Sequence, residues 1–64
     1  MKLWIGNMNC GGCARGVKAI IHDIDPNAKV DMELAAKVVN IDTIANIEQM
    51  RAALAKGGFP AQVL

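Results

Sequence analysis

The sequence predicts an α+β sandwich, a four-stranded antiparallel sheet with two helices packed on one of its faces. Three observations lead there. Side chains alternate between two faces over three short runs, a further short apolar run closes the chain, and apolar residues recur at helical spacing over two longer ones. The order of these runs is strand, helix, strand, strand, helix, strand. Turn-forming residues separate them, and no repeat, linker or low-complexity tract interrupts the series.

Lys2 to Ile5 reads as a strand, with Leu3 and Ile5 on one side and Lys2 and Trp4 on the other. A helix is expected from Cys13 to Ile24. Cys13, Val17, Ile20 or Ile21, and Ile24 share one face, while Arg15, Lys18, His22 and Asp23 share the other. Asp25-Pro26-Asn27 stops it, because proline has no N–H for the helical ladder. Val30, Met32 and Leu34 then alternate with Lys29, Asp31 and Glu33 in a second strand. After a tight Ala35-Ala36 link, Lys37 to Asp42 makes a third, with Val39 and Ile41 inward and Val38, Asn40 and Asp42 outward. So short a link pairs the two strands as an antiparallel hairpin. Asn46, with Gln49 three residues later, has the form of a capping box. Ile47, Met50, Leu54 and Gly57 mark the buried face of the second helix, and Gly57-Gly58 ends it, since glycine accepts a left-handed backbone. Phe59 to Leu64 is the last strand, with Pro60 near an end or edge.

Two right-handed crossovers joined by a hairpin make the ferredoxin-like β-α-β-β-α-β arrangement, with the first strand central beside the third and fourth. Trp4, Val38 and Leu64 would then face the open side of the sheet and form a small exposed apolar patch. Cross-strand packing is the simpler role for that patch, ahead of a partner or self-association surface.

A chain of 64 residues is one small domain, residues 1–64. Such a chain buries only about 60% of its unfolded surface, so its stability margin is narrow. Its hydrophobic fraction of 53% suffices for a core, which aliphatic side chains must fill because Trp4 and Phe59 are the only aromatics. A net charge of +1 argues neither for nucleic acid nor for a strongly acidic partner. Its distribution says more, since Lys2, Arg15 and Lys18 are the only charged side chains before Asp23. The cysteine-bearing end is therefore locally basic, either as a solvated helix face or as a docking surface. No apolar run approaches the ~20 residues of a membrane span, so direct membrane insertion is not expected. The amino terminus has no basic patch, apolar core and small-residue cleavage site of a signal peptide. A cytoplasmic protein with reduced thiols is expected, with a mature fragment of a secreted one as the alternative.

The chemistry concentrates in Cys10-Gly11-Gly12-Cys13, which holds both cysteines of the protein. At a helix start the positive end of the helix dipole and unpaired backbone N–H groups favour thiolate over thiol. Two soft anionic thiolates from one loop suit a soft monovalent ion such as Cu(I). Gly11 and Gly12 leave the loop uncrowded, so that a partner's thiols have access. Zinc is poorly served, because a structural zinc site takes four ligands and the chain offers two cysteines and one histidine. His22 follows Cys13 by nine residues, roughly 13 Å along a helix at 1.5 Å per residue, and is expected on the helix surface. Cys-x-x-Cys at a helix start is also the thioredoxin arrangement, although Asn9 precedes the pair and no tryptophan or proline accompanies it. A thiol-disulfide protein using the same two residues therefore stays open. Hydrolytic chemistry lacks a histidine–carboxylate pair placed to activate a cysteine, and no enzyme is expected.

Met8-Asn9-Cys10-Gly11-Gly12-Cys13 resembles the Met-x-Cys-x-x-Cys signature of heavy-metal-associated domains. That family includes copper chaperones and the amino-terminal domains of copper-transporting P-type ATPases. The likeness extends over the whole chain, through its length, element order, the Gly57-Gly58 pair and Phe59 beyond it. Ala14 and the run Gly58-Phe59-Pro60 look most like bacterial members associated with gold as well as copper. The resemblance implies one Cu(I) held by the sulfurs of Cys10 and Cys13, often nearly linearly, with Ag(I) or Au(I) as chemically similar ions. It implies transfer by thiolate exchange to a metal-transporting P-type ATPase or its metal-binding domain. A monomeric apo chain is expected, with a metal-bridged dimer as the alternative; a metal-binding module of such a transporter is a further alternative to the free chaperone. Asn9, Gly11 and Gly12 would shape the loop, and Arg15 and Lys18 would steer docking. The resemblance, with the alternation from Leu3 and Ile5, puts Met8 under the loop as a core plug and not as a third ligand. Phe59 would pack against the loop and shield the ion. Two positions depart from the family: Asn7 stands where a glycine usually precedes the methionine. Phe59 stands near the position of tyrosine in many bacterial relatives and lysine in eukaryotic ones.

Overall fold

Leu3 and Ile5 alternate with Lys2 and Trp4, and that pattern becomes strand β1 (Lys2–Ile5), with the Leu3 and Ile5 side chains fully buried. In the computed structural model, which describes residues 1–64, there follow α1 (Gly11–Ile24), β2 (Lys29–Glu33), β3 (Val38–Asp42), α2 (Ile47–Lys56) and β4 (Ala61–Val63). The strands form one sheet in the order β2-β3-β1-β4, and every neighbouring pair is antiparallel. This is the expected ferredoxin-like arrangement, with β1 central.

The inward side chains of the sheet, among them Leu3, Ile5, Val39 and Ile41, meet Val17 and Ile21 of α1 and Met50 and Leu54 of α2. Every buried residue is apolar, so the core contains no polar side chain that needs a partner. Ile20 is half-buried beside α2. Its Cδ1 lies 2.5 Å from where a Cβ on Gly57 would stand, so glycine allows the two helices to approach there. Asn46 caps α2 as expected, its side chain accepting from the N–H groups of Glu48 and Gln49. The left-handed residue after α2 is Gly58, at φ 93°. Asp25 ends α1, and its carboxylate accepts from the Asn27 N–H and from the Thr43 hydroxyl.

Several boundaries and exposures differ from expectation. Helix α1 begins at Gly11, two residues before Cys13, and Cys10 is its N-cap. First-turn residues need no intrahelical donor bond, so the two glycines enter the helix there without loss of a ladder bond. Lys37 lies outside β3: it has φ 59° and closes the turn from Leu34 by donating its N–H to the Leu34 carbonyl at 3.1 Å. Leu34 belongs to that turn and is exposed. β4 starts at Ala61, because Pro60 has no N–H to donate and the Phe59 N–H turns back to the Leu54 carbonyl at 2.8 Å. Gly57 is exposed even though it abuts Ile20, and Met32 is half-buried at the core's edge. His22 is half-buried, with Nε2 at 3.0 Å from the Ala28 carbonyl, and so is no free surface residue.

On the open face Trp4 stands opposite Val38 across β1 and β3, and Val38 is only 9% exposed. The indole lies against Gly6, where an added Cβ would approach its Cη2 within 2.7 Å. Leu64 remains exposed, but Gln62 is the residue opposite Trp4 on β4. The expected apolar patch is thus reduced to a packed Trp4–Val38 pair, which agrees with cross-strand packing.

Candidate metal centre

Strand β1 ends at Ile5, and the chain crosses residues 6–10 to reach the amino end of α1. Met8 anchors this crossing: its side chain is fully buried in the core, and its N–H donates to the Ile5 carbonyl at 3.1 Å. A buried thioether is not available to the exposed face, so Met8 is the core plug foreseen from the sequence. Beyond it Asn9, Cys10, Gly11 and Gly12 are exposed, and Cys13 is half-buried.

Cys10 has extended backbone angles (φ −152°, ψ 170°), and its carbonyl accepts the Ala14 N–H at 3.0 Å, the first bond of the helix. The two sulfurs lie 3.3 Å apart. Their separation follows from the local backbone, an N-cap residue and one three positions on, which share a side of the first turn. The first turn of α1 contains no acidic residue to oppose negative charge. The Cys10 thiol is lowered from its ordinary value, chiefly by the Cys13 N–H, then by the Cys13 thiol and the Gly12 N–H, with a small contribution from the Arg15 charge. Cys10 makes no formed capping hydrogen bond through its sulfur, so these N–H groups act on it as nearby dipoles.

Arg15 and Lys18 are exposed on α1, Lys18 about one turn farther from the sulfurs. Phe59 is half-buried and packs on the core. Its ring lies 3.4 Å from where a Cβ on Gly16 would stand, so it flanks α1 one turn after Cys13. Two further features of the site escaped the sequence. Asn7 donates from Nδ2 to the Gly58 carbonyl at 3.0 Å, tying the cysteine loop to the turn before Phe59. Gly16 is the surface on which Phe59 rests. The signal for Gly16 was its spacing of three from Cys13, which puts it on the same side of the helix.

This donor set fits a soft ion held by two sulfurs. No group of three or more His, Cys, Asp or Glu converges anywhere in the chain, so four-ligand zinc cannot be satisfied from it alone. His22 contributes nothing here, bonded as it is to the Ala28 carbonyl. The largest surface groove, about 540 Å³, lies at the opposite end of the sheet beside Met1, Lys2 and Asp42 and contains neither cysteine. No helix is long and apolar enough to cross a membrane.

Comparison with known proteins agrees with this geometry. Among solved structures, a gold-binding protein is 44% identical, covers 97% of this chain and 95% of its own, and superimposes with a TM-score of 0.94. The copper chaperone Atx1 from Synechocystis PCC6803 is 29% identical over 97% of this chain and 98% of its own, with a TM-score of 0.93. Oxidized MerP from Ralstonia metallidurans CH34 shares the fold at 24% identity, with 97% of this chain and 90% of its own covered and a TM-score of 0.82. No curated protein matches. The sequence profile of the heavy-metal-associated domain matches residues 2–60, a span that holds both sulfurs and every strand and helix that positions them up to the Phe59 turn. The chain belongs to the heavy-metal-associated domain family.

Proposed function

We propose that this chain is a cytoplasmic metallochaperone. It carries one soft monovalent ion on Cys10 and Cys13 and passes it to a partner by thiolate exchange, without catalytic turnover. The observation that carries the reading is the pair of sulfurs 3.3 Å apart at the amino end of α1, with Cys10 exposed, Cys13 half-buried and no third ligand nearby. Two thiolates satisfy an ion content with low coordination, whereas a closed structural site would have needed more donors. Cu(I) is the first candidate, supported by the likeness to a copper chaperone at 29% identity. Au(I) is supported by the likeness to a gold-binding protein at 44% identity, and Ag(I) follows by chemical similarity.

The partner proposed is a metal-transporting P-type ATPase or its metal-binding domain, whose own thiols would enter from the exposed Gly11–Gly12 side. Arg15 and Lys18 would steer that encounter toward an acidic surface. A chain serving as one module of such a transporter would use the same site in the same way.

Anaerobic titration of the reduced chain with Cu(I) is the test. One equivalent should bind, and Cys10→Ser or Cys13→Ser should each abolish tight binding. A thiol-disulfide protein is the second reading, favoured by the same short sulfur separation and by the lowered Cys10 thiol. It would be preferred if the reduced chain turned over a disulfide substrate while holding no metal.

A further inference from the structure

We propose that Asn7 is a positioning residue that latches the cysteine loop to the Phe59 turn, and so sets how fast the site opens to take or release its ion. The proposal rests on the metal-carrier reading above. The bond in question runs from Asn7 Nδ2 to the Gly58 carbonyl, 3.0 Å across a sequence separation of 51 residues. No other hydrogen bond joins residues 6–12 to a distant part of the chain. The Met8 N–H returns to Ile5, and the Cys10 carbonyl serves Ala14 of the adjoining helix.

The latch point is itself tied to α2. The Gly58 N–H donates to the Ala55 carbonyl at 3.1 Å, and the next residue, Phe59, donates its N–H to the Leu54 carbonyl at 2.8 Å. The Phe59 ring in turn contacts α1 at Gly16, one turn after Cys13. Both flanks of the site therefore end on the same turn, the Cys10 flank through Asn7 and the Cys13 flank through Phe59 and Gly16.

The sulfurs have to move for an ion to be held in line between them. At the ~2.3 Å of a zinc–thiolate bond, taken as a yardstick, a linear pair stands about 4.6 Å apart. That exceeds the 3.3 Å of this structure by more than 1 Å. A latched loop resists the spreading, and an unlatched one permits it. The bond is exposed to solvent, where hydrogen bonds exchange with water at little net cost. That suits a contact which must open at each transfer.

The test uses the full chain loaded with Cu(I) under anaerobic conditions and mixed with excess water-soluble Cu(I) chelator. Asn7→Ala should slow release roughly three- to tenfold, the range that the net contribution of one hydrogen bond spans, because nothing then opposes the spread geometry that holds the ion. Asn7→Gln, which keeps the amide donor, should restore part of the release rate. In a Phe59→Ala background the same Asn7→Ala change should add less than about twofold, because the two residues act through one turn. Release unchanged in Asn7→Ala, or effects of the two substitutions that simply multiply, would overturn the latch. If the unaltered chain holds no Cu(I), the carrier reading fails first. The latch is then decided on the metal-free chain by amide hydrogen exchange at Met8 and Ala14, whose N–H groups are bonded to the Ile5 and Cys10 carbonyls. Exchange should be faster in Asn7→Ala, and equal rates would overturn it.

Discussion

The Cys10 thiol owes its acidity to backbone placement and needs no nearby base. The N–H groups of Cys13 and Gly12 point into the turn it caps, and each favours the anion. Because the folded environment lowers this pKa, the thiolate predominates at a pH where a free thiol would still be protonated. Alkylation of Cys10 by iodoacetamide should reach half its plateau rate below the ~8.5 of a free thiol. A half-point at or above that value would remove the electrostatic argument. Met8 makes the opposite case, a sulfur kept away from the chemistry. It is 0% exposed, and Met8→Leu conserves volume while removing the thioether. That variant should lose less than about 1.5 kcal/mol of stability and bind Cu(I) with unchanged stoichiometry. A lost equivalent of metal would make Met8 a ligand after all.

At the scale of elements, each helix and strand depends on a few residues that reveal it in the sequence, and its ends depend on others that do not. Asn46 shows the first kind. It accepts from the Glu48 and Gln49 N–H groups, so Asn46→Ala should cost about 1 kcal/mol. For a domain of this size that lowers the melting temperature by about 4–8 °C, as calorimetry would show, while metal stoichiometry stays the same. The alternation of Leu3 with Ile5 and the spacing of Val17, Ile21, Met50 and Leu54 made strands, helices and their order legible, because burial selects those periods directly. The ends were not legible where backbone bonds to remote residues decide them. Phe59 satisfies its N–H at Leu54, so β4 starts two residues later than its apolar pattern. Lys37 adopts a positive φ that nothing in a lysine announces. At the site, the spacing of Cys10 and Cys13 marked a candidate ligand pair that was legible in the sequence. Asn7 was not, because its partner lies 51 residues away and only the folded sheet brings them together.

The charge pattern belongs to the whole molecule, since only the topology sorts residues to its two ends. β1 finishes, and α1 begins, at the end that carries the cysteines. The antiparallel order brings the Leu34–Lys37 turn and the last turn of α2 to that same end. Lys37 and Lys56 therefore join Arg15 and Lys18 there, where Glu33 is the carboxylate at the tip of β2. Asp23, Asp25, Asp42 and Glu48 lie toward the opposite end with Lys2 and Lys29, so that end is mixed in charge and Lys2 does not belong to the cysteine-bearing end with which the sequence grouped it. The separation makes a net charge near zero misleading, because a partner approaching the sulfurs meets mainly cations. Arg15 and Lys18 were visible as a basic segment, but Lys37 and Lys56 lie too far along the chain to be grouped with them. Such a face accelerates encounter with an acidic partner and loses that advantage once salt screens it within about 10 Å at 0.1 M. Transfer of Cu(I) from the loaded chain to an acidic, thiol-bearing acceptor domain should therefore slow by roughly tenfold between low and physiological salt. The doubly reversed variant Lys37→Glu/Lys56→Glu should be slow at low salt already and nearly indifferent to further salt. Its release of Cu(I) to a neutral small chelator should match the unaltered chain, since that step needs no protein encounter. A transfer rate that ignores salt in the unaltered chain would mean that the cationic end is only solvated surface.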